Sequence, residues 1–320
     1  MRYYELTLTT PSTDPNPGRV VKQWSSHPGG VFDPAAQNIE FDMLIAPYNT
    51  PIGGATIIIE GISLNDLQQA QQFTGLNLVL KAGMQTGLPL ANPNQAGVIA
   101  AGFIFQSFGN WEGTEMTLAF VVYPNQYYMD TPGNVVLNWK ANSSLSEALK
   151  STINTAFPGV KTNINISPDL KLSHDEVGNW SSLTGLAQSL GPITQAQGHQ
   201  VFIVMQNGVI EIFDDTYKPN PIQLQFTDLV GQPTWINVDI MQIKMVMRAD
   251  ITVGAYILMP QGLQSAPGIV LTQGQSLPST QKYKSSFQGQ FYVTEMRQIG
   301  NYRSPDGASW ITVMNCAAVQ

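Results

Sequence analysis

Three histidines and one cysteine have the most direct claim to chemistry in this sequence. His27 sits in Ser-His-Pro-Gly-Gly, His174 in Ser-His-Asp-Glu, and His199 follows Gly198. A zinc site needs several such ligands at fixed spacing, as in His-Glu-x-x-His along one helix face, and none of the three is placed that way. His174-Asp175-Glu176 is the densest group, an imidazole beside two carboxylates, which would suit acid–base or metal chemistry. Its polar surroundings read instead as a solvated loop ahead of a helix. Cys316 would need a positioned histidine to act as a nucleophile. It lies in the last apolar run, where alternation turns it inward as a buried thiol. A single cysteine excludes an intrachain disulfide and any multi-cysteine metal site.

The carboxylate pairs Asp214-Asp215 and Glu112/Glu115 fall in turn-like places. A glycosidase needs two carboxylates facing each other across a cleft, and 22 acidic residues offer such pairs without specificity. No Gly-x-Gly-x-x-Gly follows a strand, and there is no Gly-Lys-Ser/Thr phosphate loop. The sequence therefore predicts no catalytic, cofactor-binding or metal-binding residue, and no cofactor. One binding alternative stays open. Phe103, Phe105, Phe108 and Trp111 form an aromatic group, of which Phe108 and Trp111 would be glycan contacts in a sugar-binding β module and barrel core otherwise.

The elements that must carry these residues are poor in charge. Lys and Arg number 15 against 22 Asp and Glu, for a net charge of −7, and charged residues make up 12% of the 320, against roughly 25% in an ordinary soluble domain. Neutral amides take their place, 28 Gln and 21 Asn. Amides are far easier to desolvate than ions, so such a surface suits a subunit covered by neighbours. The acidic balance, without a basic stripe, argues against specific nucleic-acid binding. No apolar run reaches the roughly 18–20 residues of a membrane span, so membrane insertion is not expected. Residues 3–9 alternate as a strand and do not read as a signal peptide.

Residues 1–140 are short β-patterned runs broken by Gly, Pro and Asn: 3–9, 39–46, 55–62, 76–81, 98–105 and 116–123. The consecutive isoleucines at 57–59 predict a strand covered on both faces, and Ala82-Gly83 predicts a turn. Residues 63–72 predict a helical turn or two with Ser63 as N-cap. Residues 141–220 change character. Leu145, Leu149, Ile153 and Phe157 recur at steps of four, predicting a helix over 144–157. Trp180, Leu183, Leu186 and Leu190 predict a second over 179–190, stopped by Gly191-Pro192. A strand over 162–166 lies between them. Asn207-Gly208 joins the runs 201–205 and 209–213 as a hairpin. Residues 221–320 return to β, with runs at 222–226, 238–247, 254–259, 289–299 and 308–317 and a Gln/Ser/Gly-rich stretch at 272–288 that reads as a mobile loop. The expected fold class is mainly β (α+β): two β-barrel domains, 1–140 and 221–320, flanking a small α+β region, 141–220.

This order of parts resembles the baseplate hub proteins of contractile-tailed bacteriophages, related to the hub portion of type VI secretion spike proteins. The resemblance is carried by 39–46, 54–62 and 75–83 (GLNLVLKAG) in the first part, and by the helix–strand–helix–hairpin of 145–213. In the last part it is carried by Thr227-Asp228-Leu229-Val230-Gly231-Gln232-Pro233, by 240–247 leading to Gly254, and by 289–293 with Trp310-Ile311-Thr312. It covers nearly the whole chain through loose motifs. Where the family often has a His-Gly-Asp-like turn, Gln298-Ile299-Gly300-Asn301 stands here. The resemblance implies a non-enzymatic structural protein of the virion tail baseplate: a homotrimer joining a hexameric tail tube, or its initiator, to a central spike, with a tape-measure protein as a further partner. A hexameric distal-tail or tube-initiator ring is the alternative within that class. Some relatives carry a fused lysozyme domain; the three parts take up this chain, so cell-wall cutting is expected in another protein.

Overall fold

The computed structural model describes residues 1–11, 18–47, 55–85, 95–127, 132–237, 239–260, 269–270 and 289–319. The stretch 272–288, expected to be a loop, lies outside the described residues. The first part of the chain forms β1 (Arg2–Thr9), β2 (Val20–Ser25), β3 (Asn38–Ile45), β4 (Ala55–Glu60), β5 (Asn77–Met84), β6 (Gly97–Glu112) and β7 (Glu115–Tyr123), with a short helix α1 (Leu64–Gln68) before β5. Alternation sets which face is buried: Tyr4, Leu6 and Leu8, then Ile39, Phe41 and Met43, then Ile57 and Ile59 point into one core. Ile58, between the last two, is only half-buried. The isoleucine run is therefore enclosed on one face and not on both. Ser63 caps α1 as its spacing predicts, its Oγ accepting from the Asp66 amide at 3.2 Å. Ala82-Gly83 does not turn; β5 runs through it, because Gly83 has φ 148° and its missing Cβ leaves room for Ala96 Cα, 2.6 Å from where that carbon would stand.

The middle of the chain forms β8 (Val135–Trp139), α2 (Leu145–Ala156), β9 (Lys161–Asn165), β10 (Glu176–Trp180), α3 (Leu183–Ala196), β11 (Phe202–Gln206) and β12 (Val209–Phe213). The apolar stripe of α2 is buried, and Ser144 caps it. The second helix differs from its expectation at both ends. Asn179 and Trp180 belong to β10, which pairs with β8, and the cap is Ser182. Pro192 lies inside α3 without ending it. The N–H it lacks would have served the carbonyl of Gln188, an exposed residue whose carbonyl water can satisfy, while Thr194 Oγ bonds back to the Leu190 and Gly191 carbonyls. Asn207 (φ 53°) and Gly208 (φ 76°) make the left-handed turn that their sequence predicts.

The last part forms β13 (Ile222–Gln223), β14 (Thr234–Trp235), β15 (Ile240–Val246), β16 (Tyr256–Leu258), β17 (Ile269–Val270), β18 (Gln290–Asn301) and β19 (Trp310–Ala318). Two closed barrels are not what these strands build. Among the described residues fourteen strands share one sheet, running β17-β14-β15-β19-β18-β3-β4-β7-β6-β5-β1-β2, with β16 and β13 attached through β18, and no ladder joins β2 to β17. The cause is the length of β18. One of its edges pairs with β19, while the other serves β16 through Gln290–Tyr292 and β3 through Met296–Asn301. One strand therefore threads from the last β region into the first.

Three apolar cores lie along this framework. The first is centred on Leu6, Phe41, Leu80 and Phe120 but also takes Met247 and Trp310 from the far end of the chain. The second lies between α2, α3 and the inner faces of β8 and β11–β12. The third is centred on Trp235, Met245 and Met314 and includes Val204 and Phe213 from the middle hairpin.

Candidate functional site

The groups with chemical potential do not converge. His27 is buried, its Nδ1 2.8 Å from Ser26 Oγ and its ring against Tyr3 and Phe32. Burial, and to a lesser degree the N-terminal ammonium, hold its pKa below the ordinary imidazole value. His174 is exposed, with Glu176 3.8 Å away, and Asp175 is bound to Lys140 (2.8 Å) and the Ala141 amide (2.8 Å). Those two bonds, the lysine first, hold the Asp175 carboxyl below its usual range. The triplet is thus spread over an exposed loop and the start of β10. Cys316 is fully buried in β19, and burial pushes its thiol far up, away from the thiolate a nucleophile requires.

The fold brings together one set that the sequence kept apart. His199, Asp214 and Asp215 place ligand-type atoms within 4.8 Å of one another. His199 Nδ1 meets Asp215 Oδ1 at 3.0 Å. Asp214 is engaged in holding its turn: Oδ2 accepts from the Ser167 amide (2.6 Å) and Oδ1 from the Thr216 amide (2.9 Å) and hydroxyl (2.5 Å). Only the Asp214-Asp215 adjacency was visible in the sequence; its meeting with His199 follows from β12 ending beside the loop after α3.

The feature that stands out from the framework is the β6–β7 hairpin. β6 is 16 residues long, about three times the ordinary strand, and its ladder with β7 continues to the pair Glu112↔Glu115 at the tip. Positions 107 and 109 face α1 and the turn after it: Ser107 Oγ bonds the Ala70 carbonyl (2.5 Å), and a Cβ on Gly109 would meet Leu67 Cδ1 at 2.7 Å. Trp111, of the same parity, continues that face beyond α1 and is 62% exposed; Leu64, at the start of α1, is 47% exposed. The indole is held in place, its N–H donating to the Gly113 carbonyl at 2.9 Å. Phe108 is 47% exposed and, an odd number of residues from Trp111 in a regular ladder, lies on the opposite face, across from Ala119. Phe105 packs edge-on against Tyr123 at 5.4 Å. The aromatic group read from the sequence is thus divided, and Phe108 and Trp111 do not form one stacking platform.

A second feature joins the two β regions. Arg248, 3% exposed, binds Asp228 Oδ2 (2.9 Å) and both oxygens of Asp250 (2.8 and 2.6 Å). Gln95 Nε2 from the first region donates to the other Asp228 oxygen (3.0 Å), and Gln298 of β18 donates to the Arg248 carbonyl (3.2 Å).

No protein-family model matches the sequence, and no curated protein matches it. Solved structures do match. The 43 kDa tail protein of prophage MuSo2 from Shewanella oneidensis aligns with 99% of this chain and 98% of its own, at 7% identity and a TM-score of 0.51. A tail protein from Neisseria meningitidis MC58 aligns over 98% and 96% (9% identity, TM-score 0.48). The E. coli c3393 protein, described as a type VI secretion component with structural similarity to T4 phage tail proteins gp27 and gp5, aligns over 89% and 73% (9% identity, TM-score 0.47). The likeness that the sequence carries in loose motifs is thus present in the backbone: over nearly its whole length this chain has the fold of a phage tail protein.

Proposed function

We propose that the protein is a structural component of a phage-type tail, and more specifically a baseplate hub: a homotrimer at the base of the tail that joins the hexameric tube, or its initiator, to the central spike. The observation that carries this reading is the match of the whole chain, without a long unmatched segment on either side, to the MuSo2 tail protein. Three features of the chain support it. Its chemical groups are engaged in packing and turn-holding bonds, as at Cys316 and Asp214. Its surface is rich in amides and poor in charge, which lowers the desolvation penalty of extended contacts. Its two β regions share one continuous sheet through β18, so three copies would present six linked β units to a sixfold tube and three chains to a threefold spike. In this reading the three-part division at 1–140, 141–220 and 221–320 stands, with β18 and Arg248 as joints, and a tape-measure protein is a further neighbour.

The mass of the purified protein by light scattering after size exclusion tests this. A species near three times 34.9 kDa supports the hub. Six times that mass replaces it with a ring subunit of the same tail class, and a monomer at high concentration overturns the trimer.

A further inference from the structure

Among the described residues, His199, Asp214 and Asp215 are the one group of three metal-ligand side chains whose donor atoms lie within 4.8 Å of one another. Two separate segments deliver them. The chain leaves α3 through Gly198 (φ 87°), and the His199 amide donates to the Thr194 carbonyl at 3.1 Å, which fixes where the imidazole stands. β12 ends at Phe213, and the residue after it, Asp214, is 2% exposed. The donors to Asp214 are all neutral: the Ser167 amide, the Thr216 amide and the Thr216 hydroxyl. No lysine or arginine pairs with Asp214 or Asp215 among the described residues. A buried carboxylate with a second carboxylate beside it is costly without a cation, and the one basic group in reach is an imidazole, which is itself a metal ligand.

The donor set selects the class of ion. Oxygen ligands alone suit calcium or magnesium, whereas an imidazole with two carboxylates suits zinc and its neighbours among the divalent transition metals. His199 Nδ1 and Asp215 Oδ1 stand 3.0 Å apart, and two ligands each about 2.1 Å from a tetrahedral ion stand about 3.4 Å apart. Asp214 can ligate without giving up its bonds, because a carboxylate has about four lone-pair sites and three are taken; such bonds are what orient a ligating carboxylate. The Asp215 side chain is 56% exposed, so water completes the coordination. We propose that His199, Asp214 and Asp215 hold a divalent transition-metal ion of the zinc type. The ion ties the loop after α3 to the end of β12 at the seam with the last β region. Phe213, next to the ligands, belongs to the third core, and a Cβ on Gly254 would meet its ring at 2.9 Å.

The experiment titrates Zn²⁺ into chelator-treated protein by calorimetry, for the wild type, His199→Ala, Asp215→Asn and His174→Ala. The last removes the exposed histidine beside Glu176 and reports binding at an ordinary surface imidazole. Circular dichroism establishes that each variant is folded. The wild type should take up one ion per chain and melt at a higher temperature with Zn²⁺ than without, because a ligand that binds the folded chain stabilises it. His199→Ala and Asp215→Asn should each weaken binding at least tenfold, and His174→Ala should leave it unchanged. Ca²⁺ should bind at least tenfold more weakly than Zn²⁺. X-ray absorption at the zinc edge should show nitrogen and oxygen ligands only, one of them imidazole. A wild type that takes up no stoichiometric Zn²⁺ overturns the site, as does binding that survives His199→Ala or is lost in His174→Ala. A sulfur ligand would place the ion at Cys316 and overturn it equally.

Discussion

Arg248 Nη1 stands 2.9 Å from Asp228 Oδ2 in a place where the arginine side chain is 4% and the aspartate 8% exposed. The pair ties the end of β15 to the short turn Phe226–Asp228, and Gln95 extends it into the first β region. Removing one member of a buried pair leaves a charge without its partner, which destabilises by about 3–5 kcal/mol. Arg248→Met is therefore expected to lower the unfolding free energy by about that amount in urea, since Asp228 and Asp250 both lose their cation. Arg297 and Asp42, which form a two-pronged pair across the β18–β3 ladder, are half-exposed, and Arg297→Ala should change stability by no more than about 1 kcal/mol. Equal effects from the two substitutions would contradict the assignment of Arg248 as the buried joint.

Trp310 closes the first core from the opposite end of the sequence. Its indole N–H donates to the Gly83 carbonyl at 2.9 Å, and its ring meets Phe41 edge-on at 5.4 Å. Trp310→Phe keeps most of the ring but leaves that buried carbonyl unpaired, an expected loss of about 1–3 kcal/mol. Trp310→Ala adds a cavity and should cost about 3–5 kcal/mol. Guanidinium unfolding followed by circular dichroism reads both; an alanine variant no less stable than the phenylalanine variant would contradict this packing.

Two glycines in strands are fixed by the approach of other atoms. A Cβ at Gly300 would fall 2.2 Å from Phe41 Cζ, and one at Gly102 would fall 2.2 Å from the Tyr123 carbonyl oxygen. The first obstacle is a buried ring with no room to withdraw and the second is backbone, so Gly300→Ala and Gly102→Ala should each destabilise by about 1–3 kcal/mol. Gly307→Ala, where nothing lies within 4 Å of the added carbon, serves as control and should leave the melting temperature within a degree or two.

Where a structural property depended on near neighbours in sequence, it was legible. Ser63 was recognisable as a cap, Asn207-Gly208 as a hairpin turn, and Leu145, Leu149 and Ile153 as a buried stripe. Long-range pairing was not. Nothing local to 290–301 marks its first half as partner to β16 and its second half as partner to β3, so one continuous sheet reads in sequence as two barrels. Gly191-Pro192 reads as a helix stop, but the one hydrogen bond that Pro192 forfeits belongs to the carbonyl of the exposed Gln188, and α3 runs on to Ala196. At the hairpin tip the residues themselves were visible, but not the length of β6 that carries Trp111 beyond α1 or the parity that parts it from Phe108. Those follow from where the β6–β7 ladder ends, at Glu112↔Glu115.

His27 gives the fold a defined response to acid. Its ring is enclosed by Tyr3, Phe32 and Ser26, and burial keeps its native pKa below the value of 6.5 for a free imidazole. The unfolded chain therefore takes up a proton at a pH where the folded chain does not, and proton binding to the unfolded state lowers stability as pH falls. The loss begins near pH 6.5 and continues until the pH drops below the depressed native value, where it levels off. Asp175, held low by Lys140, adds its own loss at more acidic pH, as the pH falls from its ordinary carboxyl range through its depressed native value. Melting temperatures measured from pH 7.5 to 5 should fall for the wild type, and His27→Gln, which keeps a polar atom near Ser26 Oγ without a titrating proton, should flatten the part of the curve just below pH 6.5. An acid limb of unchanged slope in that variant would assign the pH dependence to other groups.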